Sequence, residues 1–144
     1  MINKNMWKSI YKGTGTGIGK LTKRAKVFAG VSTALVYYIR LDFGDLTLYK
    51  IGYTSMTVAK RVEGYYDYKT KKRTVGMGLP ATCTYRIISI VYKGSKKRAY
   101  AYERKLHNLY QGDRWRGANL LQNGNSELYR RDVLGLDNLY KMRD

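Results

Sequence analysis

The chain has 144 residues, of which 28 are Lys or Arg and 10 are Asp or Glu, so its formal net charge is +18 at pH 7. Such a charge opposes compaction unless a polyanion is near, which makes nucleic acid the first candidate partner and an anionic membrane surface the second. One Cys and one His exclude an intramolecular disulfide and a cysteine-based zinc cluster. No stretch approaches the roughly 18 apolar residues of a transmembrane helix, and the N-terminus lacks a signal-peptide core, so we expect an intracellular location.

The N-terminal segment contains KGTGTGIGK (12–20), which is similar to a phosphate-binding loop. A Walker motif ending at Lys20 would need Gly at position 14 and Ser or Thr at position 21, where the sequence has Thr14 and Leu21. We therefore predict a flexible basic arm over 1–33, a folded domain over 34–136 and a tail over 137–144. The arm residues predicted to contact nucleic acid are Lys12, Lys20, Lys23 and Arg24.

Hydrophobic periodicity and turn residues predict the order β-β-α-β-α, followed by one more short helix. The predicted elements are strands over 35–41 and 46–53 around a turn at 42–45, a helix over 55–68 with Ser55 as N-cap, a basic loop over 69–82, a strand over 84–92, a helix over 95–111 and a last helix over 125–136, capped by Asn125 or Ser126. This pattern predicts an α+β fold with a small antiparallel three-stranded sheet flanked by helices.

The first two strands are predicted to place a tyrosine beside a lysine. With a four-residue turn, the pairs across one apolar face are Leu41–Leu46, Ile39–Leu48 and Tyr37–Lys50. Directly opposite Cβ atoms lie roughly 5 Å apart. A nearby cation favours phenolate, so Lys50 would lower the pKa of Tyr37 and prepare it as a general base. The alternative is that both polar tips reach past the end of the sheet into water.

The helix over 95–111 carries a carboxylate, Glu103, on its apolar side. The apolar stripe consists of Ala99, Tyr102, Leu106, Leu109 and Tyr110. A buried carboxylate needs a partner, which can be a divalent metal or a cation such as Arg61 or Lys50. His107 follows Glu103 at i+4 and is either a part of the same site or an ordinary edge residue. Glu127, next to a predicted N-cap, is first interpreted as a favourable charge at a helix N-terminus.

A tyrosine, a lysine, an arginine and a glutamate are thus predicted to point inward on a basic domain. Phosphodiester hydrolysis needs these groups, because it requires a base for water, a cation for the phosphorane charge and a metal held by carboxylate.

The motifs that carry these residues resemble those of the GIY-YIG nuclease superfamily. LVY (35–37) is similar to the first motif of that superfamily, KIG (50–52) to the second, and VAKR to the segment that ends in the helix arginine. AYERKLH resembles the metal-binding glutamate helix, and GNSELY (124–129) resembles the terminal motif of a phage-type branch in which a His follows one turn after the Glu. The resemblance covers about residues 34–135. Leu35 replaces the first-motif glycine, and Lys50 replaces the second-motif tyrosine, as it does in that branch.

The resemblance implies a metal-dependent DNA endonuclease that leaves 5′-phosphate and 3′-hydroxyl ends, in the cytoplasm of a bacterial or phage-infected cell and associated with the nucleoid. It implies that Tyr37 is the general base, that Arg61 stabilises the pentacovalent phosphate, and that Lys50 polarises Tyr37 or contacts phosphate. Glu103 would hold a single Mg²⁺ or Mn²⁺, with His107 beside it. The supporting residues would be Tyr49, Gly52, Asn125 and Glu127.

Two basic segments, residues 4–26 of the arm and KTKKRTVGMG (69–78) of the loop, are predicted to clamp phosphates, which gives steep salt dependence and little sequence readout. The loop cations are Lys71, Lys72 and Arg73, and the further candidates for base or phosphate contacts are Tyr65, Tyr66, Tyr68, Trp115 and Arg116. We favour DNA over RNA as the partner, a broad or junction-type specificity, and either a targeting protein or a homodimer.

Two non-catalytic alternatives stay open. The same fold can serve as an RNA-binding protein or ribonucleoprotein component, or as a small structural protein of a nucleoid or virion. Glu103 separates these readings from a nuclease, because binding alone needs no inward carboxylate.

Overall fold

The structure, a computed structural model, describes residues 33–137. The predicted arm contacts Lys12, Lys20, Lys23 and Arg24 lie outside the described residues, as does the chain from 138 onward. The elements are β1 (Thr33–Phe43), β2 (Leu46–Thr54), α1 (Val58–Glu63), β3 (Tyr66–Asp67), β4 (Lys72–Arg73), β5 (Thr84–Ser95), α2 (Lys96–Leu109), a 3₁₀ turn (Gln111–Asp113), a second 3₁₀ turn (Asn125–Glu127) and β6 (Leu128–Tyr129). No helix within this range is long and apolar enough to cross a membrane.

The main sheet is antiparallel and has four strands in the order β5-β1-β2-β6, so the predicted three-stranded sheet is wrong by one strand. The fourth strand replaces part of the predicted helix over 125–136. Leu128 and Tyr129 pack against hydrophobic residues on opposite faces of the sheet. Successive residues of a strand point to opposite faces, whereas the apolar residues of an amphipathic helix share one face. Gly124 is left-handed before this segment, with φ 88°, and is followed by only one 3₁₀ turn.

The hairpin of β1 and β2 turns more tightly than the sequence suggests. Gly44, with φ 74°, supplies the left-handed backbone for a two-residue turn in place of the four-residue turn. The register therefore shifts by two residues, so that Tyr37 lies opposite Gly52 and Ile39 lies opposite Lys50. A shift of two keeps every side chain on its predicted face.

The sheet is buried on both sides by two core layers. The layer under α2 contains Ala34, Val36, Tyr38, Tyr49, Ile51, Ala99, Leu106, Tyr129 and Val133. The layer under α1 contains Tyr37, Ile39, Leu41, Leu48, Val58, Val62, Met77, Leu121 and Leu128. Side chains along β1 and β2 therefore alternate between the two layers. The face of the sheet that carries Tyr37 is the one that lies under α1.

The helices are shorter than predicted. Thr57, and not Ser55, caps α1 by accepting a hydrogen bond from the backbone N–H of Lys60 at 3.2 Å. Gly64, with φ 82°, ends the helix, so the chain beyond it forms β3, where the last turn of the helix was predicted, and β4, within the predicted loop. Ser95 caps α2, in which Ala99, Leu106, Glu103 and His107 are buried as the stripe predicts, whereas Leu109 is 64 % exposed.

Candidate active site

A close approach of backbone to ring fixes Tyr37. Tyr37 is fully buried on β1, and Gly52 lies opposite it on β2. A Cβ at Gly52 would overlap the phenol ring and its hydroxyl, so this position requires glycine. The Tyr37 hydroxyl has no hydrogen-bond partner among residues 33–137. A buried hydroxyl without a partner is costly.

Lys50 lies beside this ring and is fully buried, so its tip does not reach water as the alternative interpretation required. Its Nζ lies 5.8 Å from the centroid of the Tyr37 ring and forms an ion pair with Glu127. Burial lowers the pKa of Lys50, and the charge of Glu127 opposes that effect. Gly124 makes room for the ammonium, because a Cβ there would lie 2.8 Å from Nζ.

The predicted lowering of the Tyr37 pKa is wrong. The pKa of Tyr37 is raised, first by burial and then by the charge of Glu127. The charge of Arg61 lowers the pKa but does not overcome burial. Tyr37 is therefore a neutral hydroxyl at pH 7 in the protein without ligands.

Three ligand-bearing side chains converge next to this pair. Glu103, His107 and Glu127 each present one ligand atom, and these atoms all lie within 4.8 Å of one another. Glu127 precedes β6 at the edge of the sheet, and the other two residues come from α2. Oε2 of Glu103 and Nε2 of His107 are buried, lie 3.9 Å apart and have no hydrogen-bond partner among the described residues. Neither Lys50 nor Arg61 forms an ion pair with Glu103 in this part of the chain, contrary to the structural alternative.

The two carboxyl groups of this cluster have opposite pKa shifts. Burial raises the pKa of Glu103 to about 8, and hydrogen bonding with Glu127 and the charge of Glu127 add to the increase. Burial would also raise the pKa of Glu127, but Lys50 outweighs it, so the pKa of Glu127 is lowered. Without metal, the shifts therefore favour a proton on Glu103 over one on Glu127.

His107 is oriented by Tyr129. Its Nδ1 is hydrogen-bonded to the Tyr129 hydroxyl, and the two rings are stacked with centroids 5.6 Å apart. This contact leaves Nε2 facing Glu103, and burial lowers the pKa of His107, so that the ring is kept neutral. A neutral imidazole held from behind, next to two carboxyl groups, is a donor set that suits a divalent cation. The residues present therefore fit the metal that the resemblance implies.

Arg61 is half-buried on α1; its backbone N–H donates to the carbonyl of Thr57 at 3.1 Å, and its side chain makes no hydrogen bond or ion pair within the described range. The charge of Arg61 lowers the pKa of both Tyr37 and Lys50. The guanidinium therefore lies near these two side chains, on the α1 side of the site. An uncompensated arginine beside a neutral tyrosine is suited to bind an anionic group.

Other predicted site residues have structural partners. Asn125 caps no helix. Its Oδ1 accepts hydrogen bonds from the backbone N–H groups of Leu120 and Leu121, each at 3.0 Å, and so shapes the loop before Glu127. Tyr49 points to the opposite layer, where its hydroxyl donates to Asp137 at 2.5 Å. Tyr49 therefore takes no part in the site, contrary to the supporting role predicted for it.

The predicted nucleic-acid contacts differ in exposure. Lys71, Lys72, Arg73 and Arg116 are exposed. Tyr66 and Tyr68 form an edge-to-face pair on the β3–β4 hairpin with centroids 4.8 Å apart, and Tyr68 is 84 % exposed. The indole Nε1 of Trp115 donates to the carbonyl of Ala118, and the ring packs against the second core layer, so Trp115 has a structural role.

Sequence reasoning missed Tyr129 and Arg114. Tyr129 is the last residue of the GNSELY motif (124–129), so this motif could have identified it as a candidate site residue. Arg114 pairs with Tyr129 through an isolated bridge, and its charge acts on His107. No local pattern marks Arg114, because its contacts come from a tertiary pairing.

The fold and the site define an α+β domain in which a carboxylate–imidazole cluster lies beside a tyrosine, a lysine and an arginine. The chain belongs to the T5orf172 domain family, whose model matches residues 34–142. This family is associated with nuclease-like proteins of phages and bacteria, so membership indicates a function related to nucleic acid. Searches of curated proteins and of solved structures found no match to the chain.

Proposed function

We propose that the protein is a metal-dependent DNA endonuclease of the GIY-YIG type, which hydrolyses phosphodiester bonds to 5′-phosphate and 3′-hydroxyl ends. The observation that carries this proposal is the convergence of three ligand atoms within 4.8 Å, two of them buried without partners, next to the unpartnered hydroxyl of Tyr37. Leaving so many polar groups unsatisfied in a small core is costly unless a ligand completes them.

Glu103, His107 and Glu127 would hold a single divalent cation, Mg²⁺ or Mn²⁺. Such a cation neutralises charge on the scissile phosphate and the leaving oxygen, and the same charge favours the phenolate of Tyr37. The mixed set of two carboxylates and one imidazole favours Mn²⁺ over Mg²⁺, which prefers an all-oxygen shell. The resemblance alone assigned only Glu103 to the metal, and the geometry supports adding the other two residues.

The chain's own residues then have separate tasks. Tyr37 would first release its hydroxyl proton to bulk water, and the resulting phenolate would orient the attacking water and accept its proton during attack on phosphorus. Arg61 binds the non-bridging oxygens whose charge grows in the transition state. Lys50 holds Glu127 in place and sets the electrostatic potential behind the Tyr37 ring.

Plasmid relaxation tests this function directly. We expect supercoiled DNA to be nicked in Mg²⁺ or Mn²⁺ and to stay intact in EDTA. Glu103→Gln removes a ligand charge with little change of shape, so it should abolish nicking while DNA binding persists. Glu63→Gln is the matched control, because Glu63 is an exposed helical glutamate that contacts Tyr85 and lies outside the cluster.

The opposite result would change the assignment. If the wild type and Glu103→Gln both bind DNA and neither cuts it in either metal, on supercoiled and branched substrates alike, the domain is a binding module. Tyr37, Lys50 and Arg61 would then be phosphate contacts and not catalytic residues.

A further inference from the structure

A cleft of about 230 Å³ opens on the α1 side of the site, between α1 and residues 74–76. Arg61 lines this cleft, together with Lys60, Tyr65 and Asn123. We propose that the cleft binds one unpaired nucleobase of the DNA substrate, with Tyr65 as the stacking surface, and that the protein therefore prefers DNA with an unpaired or mispaired nucleotide beside the cut. This inference rests on the proposed function, since it adds a substrate class to the same site.

Arg61 connects the cleft to the reacting groups. Its charge acts on Tyr37 and Lys50, and its side chain also lines the cleft wall. A phosphate bound by Arg61 in front of Tyr37 would therefore place an adjoining nucleotide at the mouth of the cleft. The volume lies below the roughly 300–1,000 Å³ of drug-sized ligand sites, which suits one heterocycle and excludes a stacked pair of bases.

The lining offers both a π-face and polar groups. Tyr65 is half-buried, and Lys60 Nζ lies 5.7 Å from the centroid of its ring. The side-chain amide of Asn123 donates to the carbonyl of Gly76 at 2.9 Å, while its Oδ1 accepts no hydrogen bond from the described residues. An aromatic face with a fixed amide oxygen at the rim resembles the way proteins hold an unstacked base.

The cleft is preformed because its walls are tied together by backbone contacts. The N–H of Thr74 donates to the carbonyl of Tyr65 at 2.8 Å, and the N–H of Tyr65 donates to Oγ1 of Thr74 at 2.9 Å. Gly64 and Gly76 are left-handed and pack backbone against backbone, where any Cβ would collide. Binding a base would thus cost little ordering of the protein.

A positively charged hairpin follows the cleft wall directly in the chain. The β3–β4 hairpin begins one residue after Tyr65 and presents Lys71, Lys72 and Arg73 to solvent. These cations can hold the flanking phosphates without reading sequence. Extruding a nucleotide costs a few kcal/mol in a paired duplex and least where the base is already unpaired. The cleft therefore selects for local structure in the DNA and not for a long target sequence.

A fluorescent base measures occupancy of the cleft without any need for cleavage. The probe is a DNA hairpin with a single bulged 2-aminopurine, titrated with protein in EDTA at fixed salt, beside the same hairpin fully paired. We expect the bulged probe to bind roughly 5- to 150-fold more tightly, the range that stacking on an aromatic side chain gives, and its fluorescence to be quenched on binding. Tyr65→Leu should remove this preference, and Tyr65→Phe should keep it.

Tyr110→Leu is the distant control, since Tyr110 caps the far end of α2 and packs on the other core layer. Equal affinity for bulged and paired probes in the wild type would overturn the inference, whatever the variants do. Nicking of plasmid with no preference for the bulged probe would refute the cleft and leave the nuclease intact. A preference for the bulge without any cutting would refute the nuclease and leave the cleft.

Discussion

Lys50, fully buried on β2, forms an ion pair with Glu127, which lies 77 residues later in the chain, immediately before the last strand. The pair joins the edge of the sheet to the loop that carries the third ligand residue. Within residues 33–137, Lys50 is also the only Lys or Arg that forms an ion pair with the cluster of Glu103, His107 and Glu127. Lys50 thus compensates the charge of Glu127 directly, within the core of the domain.

Removing one partner of this pair should destabilise the fold. Lys50→Met leaves Glu127 without its cation, and such a loss costs roughly 3–5 kcal/mol when both groups are buried. The Glu127 side chain is 23 % exposed, so we expect about 3 kcal/mol in urea unfolding. Arg131→Ala, which breaks the solvent-exposed pair with Asp113, should leave the urea midpoint nearly unchanged, because water screens that pair.

The double variant Lys50→Met with Glu127→Leu tests whether the ion pair itself is needed for stability. Replacing a buried pair by apolar groups is often neutral, so the double variant should recover most of the loss. Both variants should fail to nick DNA. A double variant as unstable as the single one would mean that the two side chains contribute mainly through other contacts.

Stability in EDTA should fall as the pH rises. The pKa of Glu103 is raised by burial to about 8 in the folded protein, from an ordinary value of 4.5. Between these values the folded state keeps a proton that the unfolded chain has lost, so the free energy of unfolding decreases with pH and the loss is complete above about pH 8. Urea midpoints between pH 5 and 9 should show this decline, and Glu103→Gln should flatten it.

Saturating Mn²⁺ gives the contrasting condition, because a bound cation replaces the proton at Glu103. We expect the decline to vanish or reverse, since metal binding then strengthens as the carboxyl loses its proton. A pH dependence that is the same in EDTA and in Mn²⁺ would show that Glu103 is not a ligand. Glu127 has the opposite effect on the pH dependence of stability. Its pKa is lowered in the folded protein, so the stability that its charge contributes is lost only at acid pH.

The sequence predicted the faces of the hairpin better than its register. A period of two places Tyr37 and Lys50 on one face in either register, but the turn decides which residues are opposite. Gly44 allowed the shorter turn, and no pattern in DFGD distinguishes two loop residues from four. Glu103 was found because the helical period puts it inside an apolar stripe, and the structure buries it there.

Glu127 was predicted as a helix-dipole charge, since the residues after it can also form an amphipathic helix. Its actual partners, Lys50 and the α2 ligands, come from distant parts of the chain. Tyr129 and the strand it belongs to are likewise defined by pairing with β2. Local propensity carries no information on such contacts, which tertiary packing decides.

Tyr129→Phe should weaken metal binding without removing a ligand. The Tyr129 hydroxyl is hydrogen-bonded to Nδ1 of His107 and so sets which nitrogen faces Glu103. Losing such a contact behind a ligand typically costs 10–100-fold in metal affinity. Calorimetric titration with Mn²⁺ at pH 7 measures this directly, with Tyr85→Phe as a tyrosine control on the Glu63 side. Unchanged affinity in Tyr129→Phe would remove His107 from the ligand set.

Tyr37→Phe should separate activity from stability. The Tyr37 hydroxyl is buried without a partner in the described chain, so deleting it removes an unsatisfied polar group and should leave the free energy of unfolding unchanged or slightly higher. Tyr49→Phe is the matched comparison, because its hydroxyl donates to buried Asp137, and its loss should cost about 1–3 kcal/mol.

Nicking by Tyr37→Phe should fall at least about 100-fold, the lower end of what a positioned acid–base group contributes. Gly52→Ala reaches the same residue from the backbone, since its Cβ would displace the Tyr37 ring, and should lose both activity and stability. A fully active Tyr37→Phe would assign proton transfer elsewhere. A Tyr37→Phe variant destabilised as much as Tyr49→Phe would show that the Tyr37 hydroxyl is satisfied by a structural partner and is not held ready for substrate.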